Sequence, residues 1–295
     1  MSASRPLSGG RPGSRPRRVA YALPTLFTSG NIFLGFVAIA QSIEGALQAQ
    51  RGDLGTNVHF EIAAKALGFA VFFDGLDGRI ARMTNTVSDF GREIDSLADV
   101  ITFGIAPAVL SFVWGVLFVS VPPGNGEMLS HLVRAGYLLT FFYLLCGAVR
   151  LARFNVQTNP TPKNLGRPDH KYFVGMPIPA GAAFVAAVVL VDPIPVRGPV
   201  FAVIWLAGIA IVGLLMVSTW RYPSFKHFNL SRPHATISVL FIGLIAILIF
   251  AWPQPVLLAA ASAYVASGIV IRLGGAVRRY RRARTNPTVA EHQIG

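Results

Sequence analysis

Eight apolar segments, each close to the length needed to cross a lipid bilayer, constrain the fold of this chain more than any other feature. They run over 24–43, 60–82, 94–120, 131–154, 174–191, 198–218, 234–252 and 254–273. A transmembrane helix needs about 20 apolar residues. Proline stands at or near several segment ends, where it starts or stops a helix at little cost. The pattern predicts an all-α, polytopic membrane helical bundle with about eight transmembrane helices.

The composition supports the bilayer as solvent and limits the possible partners. Hydrophobic residues make up 53% of the chain and charged residues 13%, against about 25% charged in ordinary soluble domains. The net charge of +13 would suit either nucleic acid or anionic lipid. Because the basic clusters alternate with membrane-length apolar segments, we expect contact with lipid and no nucleic-acid partner. The single cysteine, Cys146, excludes an intrachain disulfide.

The distribution of basic residues predicts how the bundle is oriented. When the N-terminus is placed in the cytoplasm, 22 of the 26 Lys and Arg residues fall on the inner side. Cytoplasmic loops are enriched in these residues. We therefore expect an even number of spans, with both termini on the cytoplasmic side of the cell (inner) membrane. The four basic residues expected outside are Arg51, Lys65, Arg134 and Arg197.

A cluster of acidic residues carries the strongest chemical signal. Asp74 and Asp77 are three apart near the end of the second segment, and Asp95 and Asp99 are four apart at the start of the third. Each spacing puts its pair on one helix face. If the two helices fold back on each other, four carboxylates meet near the inner membrane surface. Such oxygen ligands suit Mg²⁺ or Mn²⁺, and two ions could clamp a pyrophosphate.

A blander interpretation of the acidic cluster is a set of solvated carboxylates at helix ends, paired with nearby arginines. Charges at membrane depth are costly and usually functional, which favours the metal site. Gly78 and Ala81 lie one turn apart on the carboxylate side, where small residues leave space for a bulky ligand. Small residues also serve helix packing in membranes, and that alternative stays open on spacing alone.

These residues form one continuous motif. The string is Asp74-x2-Asp77-Gly78-x2-Ala81-Arg82-x8-Gly91-x3-Asp95-x3-Asp99. It resembles the signature of the CDP-alcohol phosphotransferase family at every defined position.

The resemblance implies a fold, cofactors and site residues. It implies a six-helix membrane core that works as a homodimer. The four aspartates are expected to bind two divalent metals, Mg²⁺ or Mn²⁺, and Asp99 is also expected to act as the general base. The CDP-lipid is expected to lie against Gly78, Ala81, Arg82 and Gly91.

Further strings are similar to the branch of this family that uses serine as the acceptor. The resemblance then implies transfer of a phosphatidyl group from CDP-diacylglycerol to L-serine, with release of CMP. For the serine carboxylate, Arg150 and Arg153 are the candidates, since guanidinium matches carboxylate bidentately. Asn155 and Lys171 are weaker candidates. These arginines could equally mark the cytoplasmic boundary. The strings are Pro24-Thr25-Leu26-x3-Gly30-Asn31, Phe90-Gly91-x2-Ile94-Asp95-Ser96-Leu97-Ala98-Asp99, Arg150-Leu151-Ala152-Arg153-Phe154-Asn155, Gly175-Met176-Pro177-x-Pro179-Ala180 and Arg221-Tyr222-Pro223-Ser224-Phe225-Lys226.

The chain divides into four expected regions. Residues 1–20 and 276–295 are predicted to be disordered basic tails. Residues 21–226 are expected to form the CDP-alcohol phosphotransferase membrane domain, and 227–275 to add two transmembrane helices to which the sequence assigns no chemistry.

Two other functions compete with this interpretation. One is the same reaction with a phosphorylated acceptor, glycerol phosphate or inositol phosphate, which would need a denser cationic pocket. The other is a divalent-cation transporter, which would need carboxylates deep in several spans. Outside 74–99 the acidic residues lie at segment ends, in loops or in tails, which argues against a transmembrane cation path.

Overall fold

Helices make up nearly all of the structure. The computed structural model describes residues 18–52, 55–84, 89–158, 172–223, 247–248 and 251–285. The α-helices with defined bounds are α1 Arg18–Gln50, α2 Val58–Thr84, α3 Asp89–Asp99, α4 Ala106–Gly115, α5 Gly126–Thr158, α6 Ile178–Val191, α7 Pro199–Val217 and α8 Pro253–Thr285. A π-helical segment, Val100–Ile105, joins α3 to α4. Two short strands, β1 Tyr172–Val174 and β2 Arg221–Pro223, pair antiparallel.

The helices have the length and surface of an integral membrane protein. Phe36, Phe72 and Phe201 are 64%, 62% and 72% exposed, an arrangement that suits lipid and not water. The predicted all-α, polytopic membrane fold is therefore confirmed, with one two-stranded pair added. Five helical stretches are long and apolar enough to span a bilayer: Leu26–Gln50, Gly91–Gly115, Gly126–Val156, Pro199–Val217 and Pro253–Arg272.

Seven of the eight predicted segments fall on these helices, with some shifts at their ends. The second segment lies on α2, which is not among the five because its charged residues lower its hydropathy. The third segment ends at Gly115 and not at 120, because the chain turns there. The fifth begins as strand β1, and its helix starts only at Ile178. The prediction of a helix over 234–252 lies almost wholly outside the described residues, so the count of eight spans stays a prediction.

The outermost helices reach into the regions expected to be tails. α1 starts at Arg18 and α8 ends at Thr285, while the expected tails were 1–20 and 276–295. Residues 1–17 and 286–295 lie outside the described part, so the tails stay a prediction.

The α1–α2 hairpin is fixed at its connecting turn by Asn57, which is buried. Its Oδ1 accepts hydrogen bonds from the backbone N–H groups of His59 and Phe60, at 3.1 and 3.4 Å, and so caps α2. Its Nδ2 donates to the carbonyl of Gly45 on α1 at 2.9 Å. A Cβ on Gly45 would overlap the Phe60 ring. The two helices therefore pack closely at this turn. This packing helps to fix the position of the opposite end of α2.

A central core surrounds α6, which packs against α2 on one side and α8 on another. Its N-terminus follows Gly175, whose φ of +79° few other residues tolerate. The N–H of Gly175 donates to the Trp220 carbonyl at 2.8 Å, so the turn before α6 is tied to the chain after α7. The β1–β2 pair continues this link, with Val174 opposite Arg221.

Candidate metal centre and active site

Three carboxylates from two helices converge at one end of the bundle. Asp74 lies on α2, and Asp95 and Asp99 lie on α3. One oxygen from each of the three lies within 4.8 Å of the others, and all three residues are half-buried. Because Asp95 and Asp99 are one helical turn apart, α3 presents both to the same neighbour. The structure thus brings together three of the four aspartates predicted from spacing.

The fourth aspartate and most of the residues expected to bind lipid are described by backbone alone. Asp77, Gly78, Ala81 and Arg82 continue α2 one to two turns beyond Asp74, and their side chains lie outside the described part. Asp77, three residues after Asp74, shares its side of the helix by spacing. Gly91 lies exposed in the first turn of α3.

Asp99 stands where the helix changes its winding. It is the last residue of α3, and the next six residues form the π-helical segment, whose wider turn is seen in the N–H of Ala106 bonding to the carbonyl of Ile101. Such π turns are rare and occur often at functional sites. The segment is buried at Thr102, Phe103 and Gly104.

Two hydrogen bonds hold the π-helical segment from opposite sides. The Thr102 hydroxyl donates to the carbonyl of Asn31 on α1 at 3.0 Å. The buried Tyr143 hydroxyl on α5 donates to the carbonyl of Phe103, also at 3.0 Å. Both donors satisfy backbone carbonyls that would be costly to bury unpaired. The backbone directly after Asp99 is therefore rigidly supported.

The donor set fits a divalent metal. Three carboxylates supply only oxygen ligands with a combined formal charge of −3, the chemistry that Mg²⁺ and Mn²⁺ prefer. Carboxylates this close repel one another unless a positive charge lies among them. The described residues can therefore hold a hard cation at the α2–α3 junction.

Among the described side chains, Arg150 is a cation associated with this cluster. It is half-buried on α5, and the charges that act on it include the carboxylates of Asp99 and Asp74. Its Nε is buried and has no hydrogen-bond acceptor among the described residues. A guanidinium N–H with no acceptor is available to a bound anionic group.

Arg153 and Asn155 make different contacts from Arg150. The two terminal nitrogens of Arg153 donate to the carbonyls of Val217 and Val174, each at 3.4 Å. Arg153 thus joins α5 to the end of α7 and to β1. The Nδ2 of Asn155 donates to Oγ of Ser96 at 2.8 Å. The structure therefore brings Arg150 to the carboxylates, while Arg153 and Asn155 bond to protein groups.

Two contributors were missed in reasoning from the sequence. Ser96 lies between Asp95 and Asp99 and receives the bond from Asn155; its place inside the motif was the available signal. Tyr264 lies on α8, 114 positions after Arg150 in the numbering, and it is near enough for a charge on one residue to affect the other. No spacing pattern connects residues that far apart.

Comparison with known proteins agrees with the motif. The sequence model of the CDP-alcohol phosphatidyltransferase family matches residues 21–220, which include the whole acidic cluster, Arg150 and Arg153.

Individual relatives cover much of the chain. A Helicobacter pylori protein named CDP-diacylglycerol–serine O-phosphatidyltransferase is 34% identical over 232 residues, which is 78% of this chain and 84% of the relative. A Bacillus subtilis protein of the same name is 33% identical over 207 residues, or 69% of this chain and 91% of the relative. One of the same name from Methanocaldococcus jannaschii is 33% identical over 188 residues, 62% and 77% of the two chains.

Proposed function

Since the chain belongs to the CDP-alcohol phosphatidyltransferase family, we propose that it transfers the phosphatidyl group of CDP-diacylglycerol to L-serine, giving phosphatidylserine and CMP. Because the chain belongs to this family, it is an enzyme, a transferase. The alternative function of a divalent-cation transporter is therefore not proposed. The proposed donor and acceptor are those in the names of its relatives.

The observation that carries the proposal is the convergence of Asp74, Asp95 and Asp99 within 4.8 Å in a helical membrane protein. A water-soluble acceptor and a lipid donor can meet only near the membrane surface. The cluster sits at the ends of apolar helices, at the level where such a meeting is possible.

Asp74, Asp77, Asp95 and Asp99 are proposed to hold two divalent ions, Mg²⁺ or Mn²⁺. When bound, such ions neutralise the pyrophosphate of the donor and stabilise the charge that develops on the leaving phosphate. We assign the small residues Gly78, Ala81 and Gly91, with Arg82, to binding of the CDP-lipid.

Asp99 is proposed as the base, acting directly on the acceptor. The serine hydroxyl oxygen forms a bond to the phosphorus that carries the diacylglycerol. The bond from that phosphorus to the bridging oxygen breaks, and CMP leaves with the electron pair. The hydroxyl proton passes to a carboxylate oxygen of Asp99. The support of the following π-helical segment by Thr102 and Tyr143 favours a fixed position for this carboxylate.

For the serine carboxylate we favour Arg150 over Arg153. Arg150 acts electrostatically on the same aspartates and has a buried N–H without an acceptor in the described part of the chain. Arg153 already donates to two backbone carbonyls. Among the residues whose side chains the structure describes, Arg150 is the candidate cation for the acceptor. One cation suits one carboxylate better than it suits a phosphorylated alcohol, which carries about two negative charges at neutral pH.

The cellular setting completes the proposal. The distribution of basic residues supports both termini and the active site on the cytoplasmic side of the inner membrane. Residues 21–226 are proposed as the catalytic membrane domain, and the working unit as a homodimer, as in the family to which the chain belongs.

The direct test is an acceptor panel. Purified protein in detergent or vesicles receives CDP-diacylglycerol, Mg²⁺ or Mn²⁺, and either serine, glycerol 3-phosphate or inositol phosphate, and the lipid product is identified by mass spectrometry. We expect phosphatidylserine and CMP in equal amounts, with serine alone as acceptor. Formation of a different phospholipid would disprove serine as the acceptor and leave the reaction class intact.

A matched pair of variants controls the panel. Asp95→Asn removes one carboxylate from the cluster and should abolish product formation. Glu127→Gln removes one carboxylate from the first turn of α5, far along the helix from Arg150, and should leave the rate unchanged. Equal loss in both variants would indicate a nonspecific effect of charge.

A further inference from the structure

Helix α5 is hydrogen-bonded to the chain on both sides of Asp99. The Tyr143 hydroxyl donates to the carbonyl of Phe103, four residues after Asp99, at 3.0 Å. The Asn155 amide donates to the hydroxyl of Ser96, three residues before Asp99, at 2.8 Å. The proposed base therefore lies between two hydrogen bonds that come from the same helix.

The two bonds also fix the register between these stretches of chain. The earlier residue on α5 bonds to the later residue of the other stretch, so the two stretches run in opposite directions. Arg150 lies between the two donors on α5, and Asp99 lies between the two acceptors. Tyr143 and Arg150 are two turns apart and so share one side of α5. The register thus places the proposed base and the proposed acceptor cation at one level of the bundle.

Close packing confines the Tyr143 hydroxyl. Tyr143 is fully buried, and α5 packs against the π-helical segment. A Cβ on Gly104, the residue after Phe103, would lie 2.8 Å from Cδ1 of Leu144. A Cβ on Gly181 of α6 would lie 3.1 Å from the Tyr143 hydroxyl oxygen. Side chains normally pack at longer distances, so glycine at these two positions allows the approach that the hydrogen bond needs.

Helix α1 holds the same segment from the other side. The Thr102 hydroxyl donates to the Asn31 carbonyl, and a Cβ on Gly35 would lie 2.9 Å from the Cα of Thr102. The backbone of the π-helical segment therefore has no room to shift toward α1. The segment is confined between α1 and α5, and Tyr143 supplies the hydrogen bond on the α5 side.

We propose that Tyr143 is a positioning residue, whose hydrogen bond to the π-helical segment fixes the Asp99 carboxylate relative to Arg150. The proposal rests on the proposed function for the role of Asp99 as the base. A base must lie within hydrogen-bonding distance of the proton that it accepts, and a misplacement of about 1 Å can cost a large part of the rate. A buried tyrosine that takes no part in the chemistry thereby controls how well the base reaches the acceptor hydroxyl.

The test is a double-mutant cycle on turnover. Tyr143→Phe keeps the ring and removes only the hydroxyl. We expect kcat to fall about fivefold, the effect of losing one neutral hydrogen bond. The KM values for CDP-diacylglycerol and for the acceptor should stay within about twofold. In an Asp99→Asn background, assayed at higher enzyme concentration, the same change should add nothing, because Tyr143 acts through Asp99.

Two other tyrosines serve as matched controls. Tyr222→Phe removes a buried hydroxyl that donates to the carbonyl of Val265 on α8 at 3.4 Å, and it should lower Tm without lowering kcat. Tyr137→Phe changes an exposed tyrosine on α5 that stacks on Phe112, and it should change neither quantity. An unchanged kcat in Tyr143→Phe, or a full-sized effect in the Asp99→Asn background, overturns the proposal.

Failure of the proposed function would be seen separately. The cycle uses whichever alcohol the wild-type protein converts in the acceptor panel, so conversion of another alcohol disproves serine while the cycle still reports on Tyr143. If no alcohol is converted, amide hydrogen exchange over residues 100–105 measures the support of the segment directly. Tyr143→Phe should then exchange about fivefold faster than wild type, and Tyr222→Phe should match wild type. Equal exchange in all three proteins would overturn the positioning role.

Discussion

The side chain of Asn155 on α5 donates a 2.8 Å hydrogen bond to the hydroxyl of Ser96 on α3. Ser96 in turn donates to the carbonyl of Arg92 at 3.0 Å. Because Ser96 lies between Asp95 and Asp99, the bond couples the helix that carries two of the aspartates to the helix that carries Arg150. This contact thus links the helix of the carboxylates to the helix of the proposed acceptor cation.

This contact predicts matching phenotypes for its two partners. Asn155→Ala and Ser96→Ala should each lower kcat about fivefold, since a hydrogen bond is worth about 1 kcal/mol. The double variant should be no worse than either single one, and the serine KM should stay near the wild-type value. A rise in serine KM in Asn155→Ala alone would instead indicate direct contact with the substrate.

Metal dependence follows from the three converging carboxylates. Excess chelator should abolish activity, and added Mg²⁺ or Mn²⁺ should restore it, because the cluster requires positive charge to hold a pyrophosphate. The measurement is CMP release with and without chelator. Full turnover in excess chelator would contradict the metal site.

The two roles assigned to the aspartates can be separated. If Asp99 is chiefly the proton acceptor, Asp99→Asn should keep most of the affinity for CDP-diacylglycerol while turnover falls at least about a hundredfold, the usual range for loss of a general base. Asp74→Asn should lose both binding and turnover, because the metals that Asp74 is proposed to hold are needed for both. Binding measured by filtration or calorimetry distinguishes them, and an equal loss of affinity in both variants would remove the distinction.

The two arginines should respond differently to substitution. Arg150→Ala should raise the serine KM about tenfold to a hundredfold, the effect of losing a charge-assisted pair of roughly 1.5–3 kcal/mol. Arg153→Ala should mainly lower Tm, because its guanidinium joins α5 to the ends of α7 and β1. The KM for CDP-diacylglycerol serves as the internal reference. Identical serine kinetics in Arg150→Ala and wild type would place the serine carboxylate elsewhere.

Topology can be measured independently of activity. Reporter fusions at both termini should indicate the cytoplasm, given that 22 of 26 basic residues fall on that side. A fusion in the outer loop that contains Arg197 should indicate the opposite side. Termini on opposite sides would require an odd number of spans.

Periodic features of the sequence predicted the fold well. They did not predict the contacts between helices that are distant in the sequence. Apolar length located seven helices, and the spacing of Asp74, Asp95 and Asp99 predicted a cluster that the structure contains. The start of α6 was placed too early, because hydropathy does not report the turn at Gly175, with its positive φ, or the N-cap at Pro177. The sequence also did not show that Arg150 and Arg153 make different contacts. Both lie in one short string, and only packing decides which reaches the carboxylates.

The π-helical segment Val100–Ile105 sets the rotational position of the turn that carries Asp95 and Asp99 relative to the buried helix α4. A π turn holds about one residue more than an α turn, and one residue corresponds to about 100° of rotation. If the same residues wound as a regular α-helix, Asp95 and Asp99 would rotate about 100° away from Asp74, while the buried side chains of α4 kept their places. Deleting a single residue there would let the helix relax to α winding and leave the two aspartates in the same direction. The direction in which these carboxylates point is therefore set by the winding of the segment that follows them, and not by the aspartates themselves.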